Sequence, residues 1–271
     1  MSYFQIDFDL KQIPIDILFA FLSDFEILGT EESPDFLIAY TDDHKVLMEL
    51  KDAIERKAWQ KHVKLKTLKP QNWNKTWEEN FDPVFVDEFC QILAEFHTPK
   101  TGFQHSIQIQ PKMAFGTGHH ETTYMMIQMM AALDLKGASV FDFGCGTGIL
   151  AILAEYLGAA RILGLDNDPI AISNANENAL LNKTLNTQWQ CGLLEELKVE
   201  KFDFILANIN RNVLLDVSSQ IGNYLTENGQ LILSGILEQD KQIIINNYER
   251  EGFKMNSCRQ KGEWMCLHFT L

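Results

Sequence analysis

The chain has 271 residues, 46% hydrophobic and 22% charged, which suits a soluble globular protein of one large domain or one and a half. Its 23 basic and 37 acidic residues leave a net charge of −14, the wrong sign for a protein that grips long nucleic acid through its phosphates. No apolar run approaches the ~20 residues that span a bilayer, and residues 1–7 lack the basic-then-apolar pattern of a signal peptide, so a cytoplasmic protein is expected.

The first 68 residues read as a small α+β domain. Residues 3–10 alternate as a strand, and Pro14 opens a helix with Ile15, Leu18, Phe19 and Leu22 on one face. A turn over 29–34 leads to a strand at 36–40. Asp42-Asp43 caps a helix running to about Gln60, and residues 62–68 alternate again. The order is strand, helix, one or two strands, helix, strand, which suits a ferredoxin-like unit. Its basic residues, Arg56-Lys57 and a short cluster over 61–69, do not amount to a nucleic-acid-binding face. A basic macromolecule or a small molecule is the expected substrate.

Residues 69–83 are rich in turn formers and aromatics, with prolines near both ends, and mark an inter-domain linker. Trp73 and Trp77, spaced i, i+4, are expected to pack together and anchor it, with stacking on a substrate as the alternative. Strands are expected over 84–89 and 105–110. Then comes Phe115-Gly-Thr-Gly-His-His-Glu-Thr-Thr123, a glycine loop with Thr122 and Thr123 in the first turn of a helix. Met125, Met126, Met129 and Met130 in that helix read as core. His119-His120-Glu121 has no partner at i, i+4, so no metal site is expected.

The centre of the sequence is Asp142-Phe-Gly-Cys-Gly-Thr-Gly148, between an apolar strand (138–143) and an amphipathic helix (149–157). Gly144, Gly146 and Gly148 let the backbone turn tightly beneath a ligand and present N–H groups at a helix start. The second strand, 161–166, ends in Asp166, where a carboxylate is placed to hold a ribose diol. Asp168-Pro169 begins a helix to about Leu181 with a polar face of asparagines. Further strands are expected at 187–191, 202–208 and 229–235, then a hairpin formed by 252–258 and 264–271. Asn208 ends the fourth strand, either facing a ligand or capping the helix at Asn210. The five cysteines (Cys90, Cys145, Cys191, Cys258, Cys266) form no C-x-x-C pair and are expected to be reduced, although the last two can face each other across the hairpin.

Asp142 to Gly148 matches the first motif of the Rossmann-like S-adenosylmethionine-dependent methyltransferases, and Gly164-Leu-Asp166 matches their second. With residues 115–123 and Ala207-Asn-Ile209 added, the chain resembles the ribosomal protein L11 methyltransferase family. The resemblance implies a Rossmann-like α/β methyltransferase sheet with a C-terminal antiparallel hairpin over 84–271, a linker over 69–83, and a ferredoxin-like substrate-recognition domain over 1–68. It implies S-adenosylmethionine as cofactor and methylation of the lysine side-chain and N-terminal amines of one basic ribosomal protein. The protein is expected to act as a monomer, without nucleic acid or membrane. By motif position, cofactor contacts fall on Thr123, Gly144, Asp166 and Asn208. Family members usually read Thr-His-Pro-Thr-Thr where this chain reads His119-His-Glu-Thr-Thr123.

Methyl transfer from a sulfonium is an in-line displacement that needs alignment in a dry site rather than a metal. In that reading Gly144, Gly146 and Gly148 cradle the methionine part, Asp142 orients its amino group, and Asp166 accepts from the ribose. Asn208 positions the methionyl end or the incoming amine. No single residue stands out as general base, with His119 and His120 as the candidates. A glutamine or nucleobase methyltransferase typically carries Asn-Pro-Pro-Tyr where this chain has Asn208-Ile-Asn-Arg211. A small-molecule amine methyltransferase and a non-catalytic nucleotide-binding scaffold are the remaining alternatives.

Overall fold

The structure, a computed structural model, describes residues 3–22, 24–68, 82–110 and 116–271. The chain forms two compact units, Met1–Phe81 and Asp82–Leu271. Residues 69–81, with Trp73 and Trp77, lie outside the described residues, as does Phe115.

The first unit runs β1 (Tyr3–Asp9), α1 (Ile15–Leu22), β2 (Gly29–Glu32), β3 (Phe36–Thr41), α2 (His44–Arg56) and β4 (Val63–Leu68). Its strands order as β2-β3-β1-β4, every neighbour antiparallel. The period of two is plain in β3, where Leu37, Ala39 and Thr41 point inward and their neighbours outward. Together with Ile6, Phe8, Leu18, Leu50 and Ile54, Leu37 and Ala39 form the core of this unit. The expected inner face of α1 needs correction: Phe19 is 47% exposed, and Phe21 turns inward with Leu18 and Leu22. Those three sit at i, i+3 and i+4, a narrower stripe than one that includes Phe19. Asp43 caps α2 by accepting from the Lys45 N–H at 2.7 Å. The helix ends at Arg56, earlier than expected, because Ala58 turns left-handed at φ 58°.

The second unit opens with a small sheet of β5 (Val84–Val86), β6 (Cys90–Leu93) and β7 (His105–Gln108). The strand expected over 84–89 stops at Val86, and β6 is a strand the sequence pattern does not announce. Asp87, at φ 49°, breaks the run, and its carboxylate accepts from Tyr124 Oη (3.1 Å) and Gln128 Nε2 (2.7 Å). Those partners are distant in sequence, so the break has a tertiary cause.

Next come α3 (Glu121–Met130), β8 (Ser139–Phe143), α4 (Ile149–Tyr156), β9 (Arg161–Asp166), α5 (Pro169–Leu181), β10 (Thr187–Cys191) and β11 (Phe202–Asn208). The chain ends with α6 (Arg211–Ile221), β12 (Leu225–Leu237), α7 (Lys241–Arg250), β13 (Lys254–Lys261) and β14 (Trp264–Thr270). The seven-stranded sheet has the order β10-β9-β8-β11-β12-β14-β13. The first five of these neighbours are parallel, while β14 and β13 form the antiparallel hairpin. Both faces are covered, which is why the central strands read as continuous apolar runs. Val140, Leu206 and Ile232 pack on one face with α4 and the four methionines of α3. Phe141, Ile205 and Leu233 pack on the other with Leu214, Ile244 and Tyr248.

The asparagine face of α5 is buried, with Asn174 and Asn178 at most 1% exposed. Asn178 Oδ1 accepts from the Gln110 N–H at 2.8 Å, and Asn182 Oδ1 accepts from the Gln108 N–H at 2.8 Å. Side-chain amides thus supply the partners that a neighbouring strand would give the segment leaving β7. All five cysteines are free. Register places Cys258 opposite Leu267 and Cys266 opposite Arg259, so the two do not face each other. Among the described residues, no helix is long and apolar enough to cross a membrane.

Candidate active site

The strand order reverses between β8 and β9 on one side and β11 on the other, and ligands of open α/β sheets bind beyond the strand ends at such a point. There the structure opens a cavity of about 630 Å³, whose lining includes Gly144, Gly146, Asp166, Asn208, His120 and Trp264. Every lining residue belongs to the second unit.

The three glycines between β8 and α4 do different work. Gly144, at φ 73°, turns the chain out of β8, and a Cβ there would strike the side chain of Ile209. Gly146 donates its N–H to Asp166 Oδ2 at 2.9 Å. Gly148 caps α4 in the left-handed region and does not line the cavity; its missing Cβ makes room for Trp189. The turn is therefore shaped on the ligand side at Gly144 and on the protein side at Gly148.

The carboxylate of Asp166 faces the cavity with both oxygens already engaged once, Oδ2 by Gly146 and Oδ1 by the Asp168 N–H at 3.0 Å. A carboxylate has about four acceptor directions, so a ligand diol still finds one on each oxygen. Asp142 is placed differently from the sequence reading. It is 1% exposed, does not line the cavity, and accepts from the Ala151 N–H at 3.1 Å. Burial pushes its carboxyl up to about 7, outweighing the Ala151 hydrogen bond, with the nearby Asp166 adding to the rise.

At the tip of β11, Asn208 Nδ2 donates to Thr123 Oγ1 at 3.2 Å. Asn208 is among the cavity-lining residues, and its Oδ1 is buried and has no partner. The cap of α6 is Asn210, which accepts from the Val213 N–H at 3.1 Å, so Asn208 is free of that task. Thr123 is fully buried behind Asn208, and its neighbour Thr122 is the threonine that lines the cavity.

The loop before α3 is fastened from both sides. Thr147 Oγ1 donates to the Gly116 carbonyl at 2.7 Å, and His119 Nε2 donates to the Asp82 carbonyl at 2.8 Å. His119 does not line the cavity. His120 does, and its Nδ1 caps α3 by accepting from the Thr122 N–H. Among the described residues, no cluster of three His, Cys, Asp or Glu side chains is placed to hold a metal ion.

Sequence reasoning missed the segment after β10, where Gly192, Leu193, Leu194 and Glu195 line the cavity, and also missed Ile209, Gly235 and Trp264. Gly192 and Gly235 carried a usable signal, since each is a glycine at or near the end of an expected strand. A Cβ on Gly235 would strike the Ile209 backbone. Trp264 carried none. The acidic side chains of the lining are Asp166, Glu195 and Asp216, with no lysine or arginine among them, which suits a cationic ligand.

A glycine turn closed against Ile209, a carboxylate at the tip of the second strand and a buried acceptor at the tip of the fourth fit a ligand with an adenosyl diol and a cationic amino-acid end. Fold and site define a Rossmann-like methyltransferase that uses S-adenosylmethionine. The fold alone is shared with a methyltransferase from Pyrococcus furiosus, at TM-score 0.52 and 15% identity over 60% of this chain and 88% of that one.

Residues 24–271 match the family described as ribosomal protein L11 methyltransferase (PrmA), and the chain belongs to that family. It is 42% identical over 203 residues to a ribosomal protein L11 methyltransferase of Porphyromonas gingivalis, covering 73% of this chain and 69% of the relative. A Clostridium perfringens relative with the same description is 33% identical over 239 residues, 88% of this chain and 75% of its own length. The crystal structure of a ribosomal protein L11 methylase from Lactobacillus delbrueckii subsp. bulgaricus superposes at TM-score 0.65 with 31% identity, over 70% of this chain and 98% of that one.

Proposed function

We propose that the protein transfers methyl groups from S-adenosylmethionine to the lysine side-chain and N-terminal amines of ribosomal protein L11. The observation that carries the reading is Asn208, a cavity-lining residue whose buried Oδ1 has no partner in the protein. An unpaired buried acceptor costs about 1–3 kcal/mol, and an N–H from the cofactor's methionyl end or from the incoming amine would satisfy it.

The cofactor supplies an electrophilic methyl group on a sulfonium. Asp166 would take the ribose hydroxyls on its remaining lone pairs. The backbone at Gly144 and Gly146 would hold the methionine portion, and Gly148 starts α4 behind the turn. Asp142 acts from behind the turn, fixing α4 through Ala151. Thr123 holds the Asn208 amide through Nδ2 and leaves Oδ1 available to a ligand N–H.

A lysine must lose its proton before it attacks, which costs about 4.6 kcal/mol at pH 7, against about 1 for an α-amine. Burial in the cavity and the neighbouring sulfonium lower that cost. His119 Nε2 is committed to the Asp82 carbonyl and His120 Nδ1 to a helix cap, so desolvation is the better-supported route.

The domain roles belong to the same proposal. Residues 1–68 form a ferredoxin-like unit that recognises the substrate, a reading supported by the strand order β2-β3-β1-β4. Residues 69–83 link it to the catalytic domain. The net charge of −14 supports a basic protein substrate over nucleic acid, and a monomer working in the cytoplasm completes the reading.

The test is transfer of tritiated methyl groups from S-adenosylmethionine into ribosomes from a strain lacking this protein. Label confined to one small large-subunit protein is expected. Label in RNA or in small metabolites overturns the substrate.

A further inference from the structure

Trp264 and His120 line the cavity and meet edge to face, with ring centroids 4.7 Å apart and planes at 70°. Neither has a task in cofactor binding as described above. Both lie at the end of the cavity where Asn208 is found. His120 caps the helix whose Thr123 holds the Asn208 amide. Trp264 begins β14, which pairs with the same β12 whose Ser234 lies beside Asn208. Asp166 and Gly192, at the ends of β9 and β10, mark the other end. With strands about 4.8 Å apart, the sheet order separates β9 from β14 by four steps. An adenosyl group held at Asp166 leaves the Trp264 end to the methyl acceptor.

Trp264 is also held firmly. It faces Lys261 across the hairpin turn, Lys261 Nζ lies 4.1 Å from the Tyr124 ring centroid, and the Glu238 N–H donates to the Glu263 carbonyl at 2.8 Å. The backbone around Trp264 is thereby braced, and its indole packs against the core beside His120.

The chemistry of the acceptor explains what such a wall does. Each methyl group added to an amine replaces an N–H donor, so Asn208 Oδ1 loses its hold as methylation proceeds. An indole attracts an alkylammonium through the ring quadrupole and needs no N–H at all.

We infer that Trp264, braced by His120, is the wall of an alkylammonium subsite that retains partly methylated amines and so sets how many methyl groups one nitrogen receives. The inference rests on the amine-methylation reading above. In each transfer a nitrogen lone pair forms the new N–C bond while the S–C bond breaks, leaving its electrons on sulfur. The amine proton passes to solvent between rounds.

The probe is tetramethylammonium, tested as an inhibitor competitive with the acceptor and by calorimetry on the full chain. Wild type and Trp264→Phe are expected to bind it saturably. Trp264→Leu, which keeps an apolar side chain but removes the ring, is expected to bind about 5- to 30-fold more weakly, with cofactor affinity unchanged. Mass spectrometry of the acceptor should show Trp264→Leu enriched in monomethylated product and Trp264→Phe close to wild type. No saturable binding to wild type, equal binding by wild type and Trp264→Leu, or equal loss in the Phe and Leu variants overturns the inference. Failure of the underlying reading shows separately, as an absence of methyl transfer to any ribosomal protein, while tetramethylammonium binding decides the subsite by itself.

Discussion

One amide at the end of β11 has two fates: Asn208 Nδ2 donates to Thr123 Oγ1 at 3.2 Å, and Asn208 Oδ1 is buried without a partner. The first bond aims the second atom. Thr123→Val removes the acceptor while keeping the shape, so the amide is free to rotate. A hydrogen bond of about 1 kcal/mol predicts a five-fold fall in kcat/KM for methyl transfer, with Thr123→Ser close to wild type. Steady-state kinetics on both variants check this, and equal losses in the two would show that packing, not the hydroxyl, is what matters.

Asp166 fastens the turn as well as facing the ligand, since it accepts from the N–H groups of Gly146 and Asp168. Asp166→Asn keeps one acceptor and should leave the fold intact by circular dichroism. Cofactor affinity is predicted to fall about 10- to 150-fold, the scale of one lost hydrogen bond to a charged group. Calorimetric titration with S-adenosylhomocysteine measures it, and unchanged affinity removes Asp166 from the site.

Burial of Asp142 makes stability depend on pH. Its carboxyl is raised from the ordinary 3.8 to about 7 in the folded chain. Between those values the folded state holds a proton that the unfolded state has released. Stability from this group therefore declines as pH rises from about 4, by at most ~4 kcal/mol, and levels off above pH 7. Asp142→Asn should flatten that slope in urea unfolding measured from pH 4.5 to 8. Parallel profiles for the two proteins would refute the assignment.

The Ile209 side chain fills the space that a Cβ on Gly144 would need. Gly144→Ala adds a methyl group that strikes Ile209 and places alanine at φ 73°, so cofactor binding should weaken more than ten-fold. Adding Ile209→Ala removes the clash but not the backbone strain of roughly 1 kcal/mol. The double variant is therefore predicted to recover part of the lost affinity, and a double-mutant cycle with no coupling would count against the contact.

Much of the fold and part of the site were legible in the sequence because their signals are local. Continuous apolar runs ending in Phe143, Asp166 and Asn208 announced buried parallel strands, and the glycines after Phe143 announced a turn with unusual backbone angles. Asp168-Pro169 announced a helix start that the structure places at Pro169. The period of α1 was read one residue too generously at Phe19, where neighbouring apolar residues blur the stripe.

What the sequence by itself determined was the succession of five parallel strands and a closing hairpin, the turn at Gly144 and the carboxylate at the tip of β9, because each follows from residues adjacent in the chain. Only the tertiary structure decided that Asp142 lies behind the turn, that Asn178 and Asn182 serve as partners for the backbone at Gln110 and Gln108, and that Trp264 reaches the cavity. Trp264 stands 56 positions beyond Asn208 in the chain, and the pairing of β14 with β12 brings it alongside. Periodicity shows which face of an element turns inward. What that face meets depends on which strands pair, and that is settled only when the sheet closes its hydrogen bonds and buries its two apolar faces.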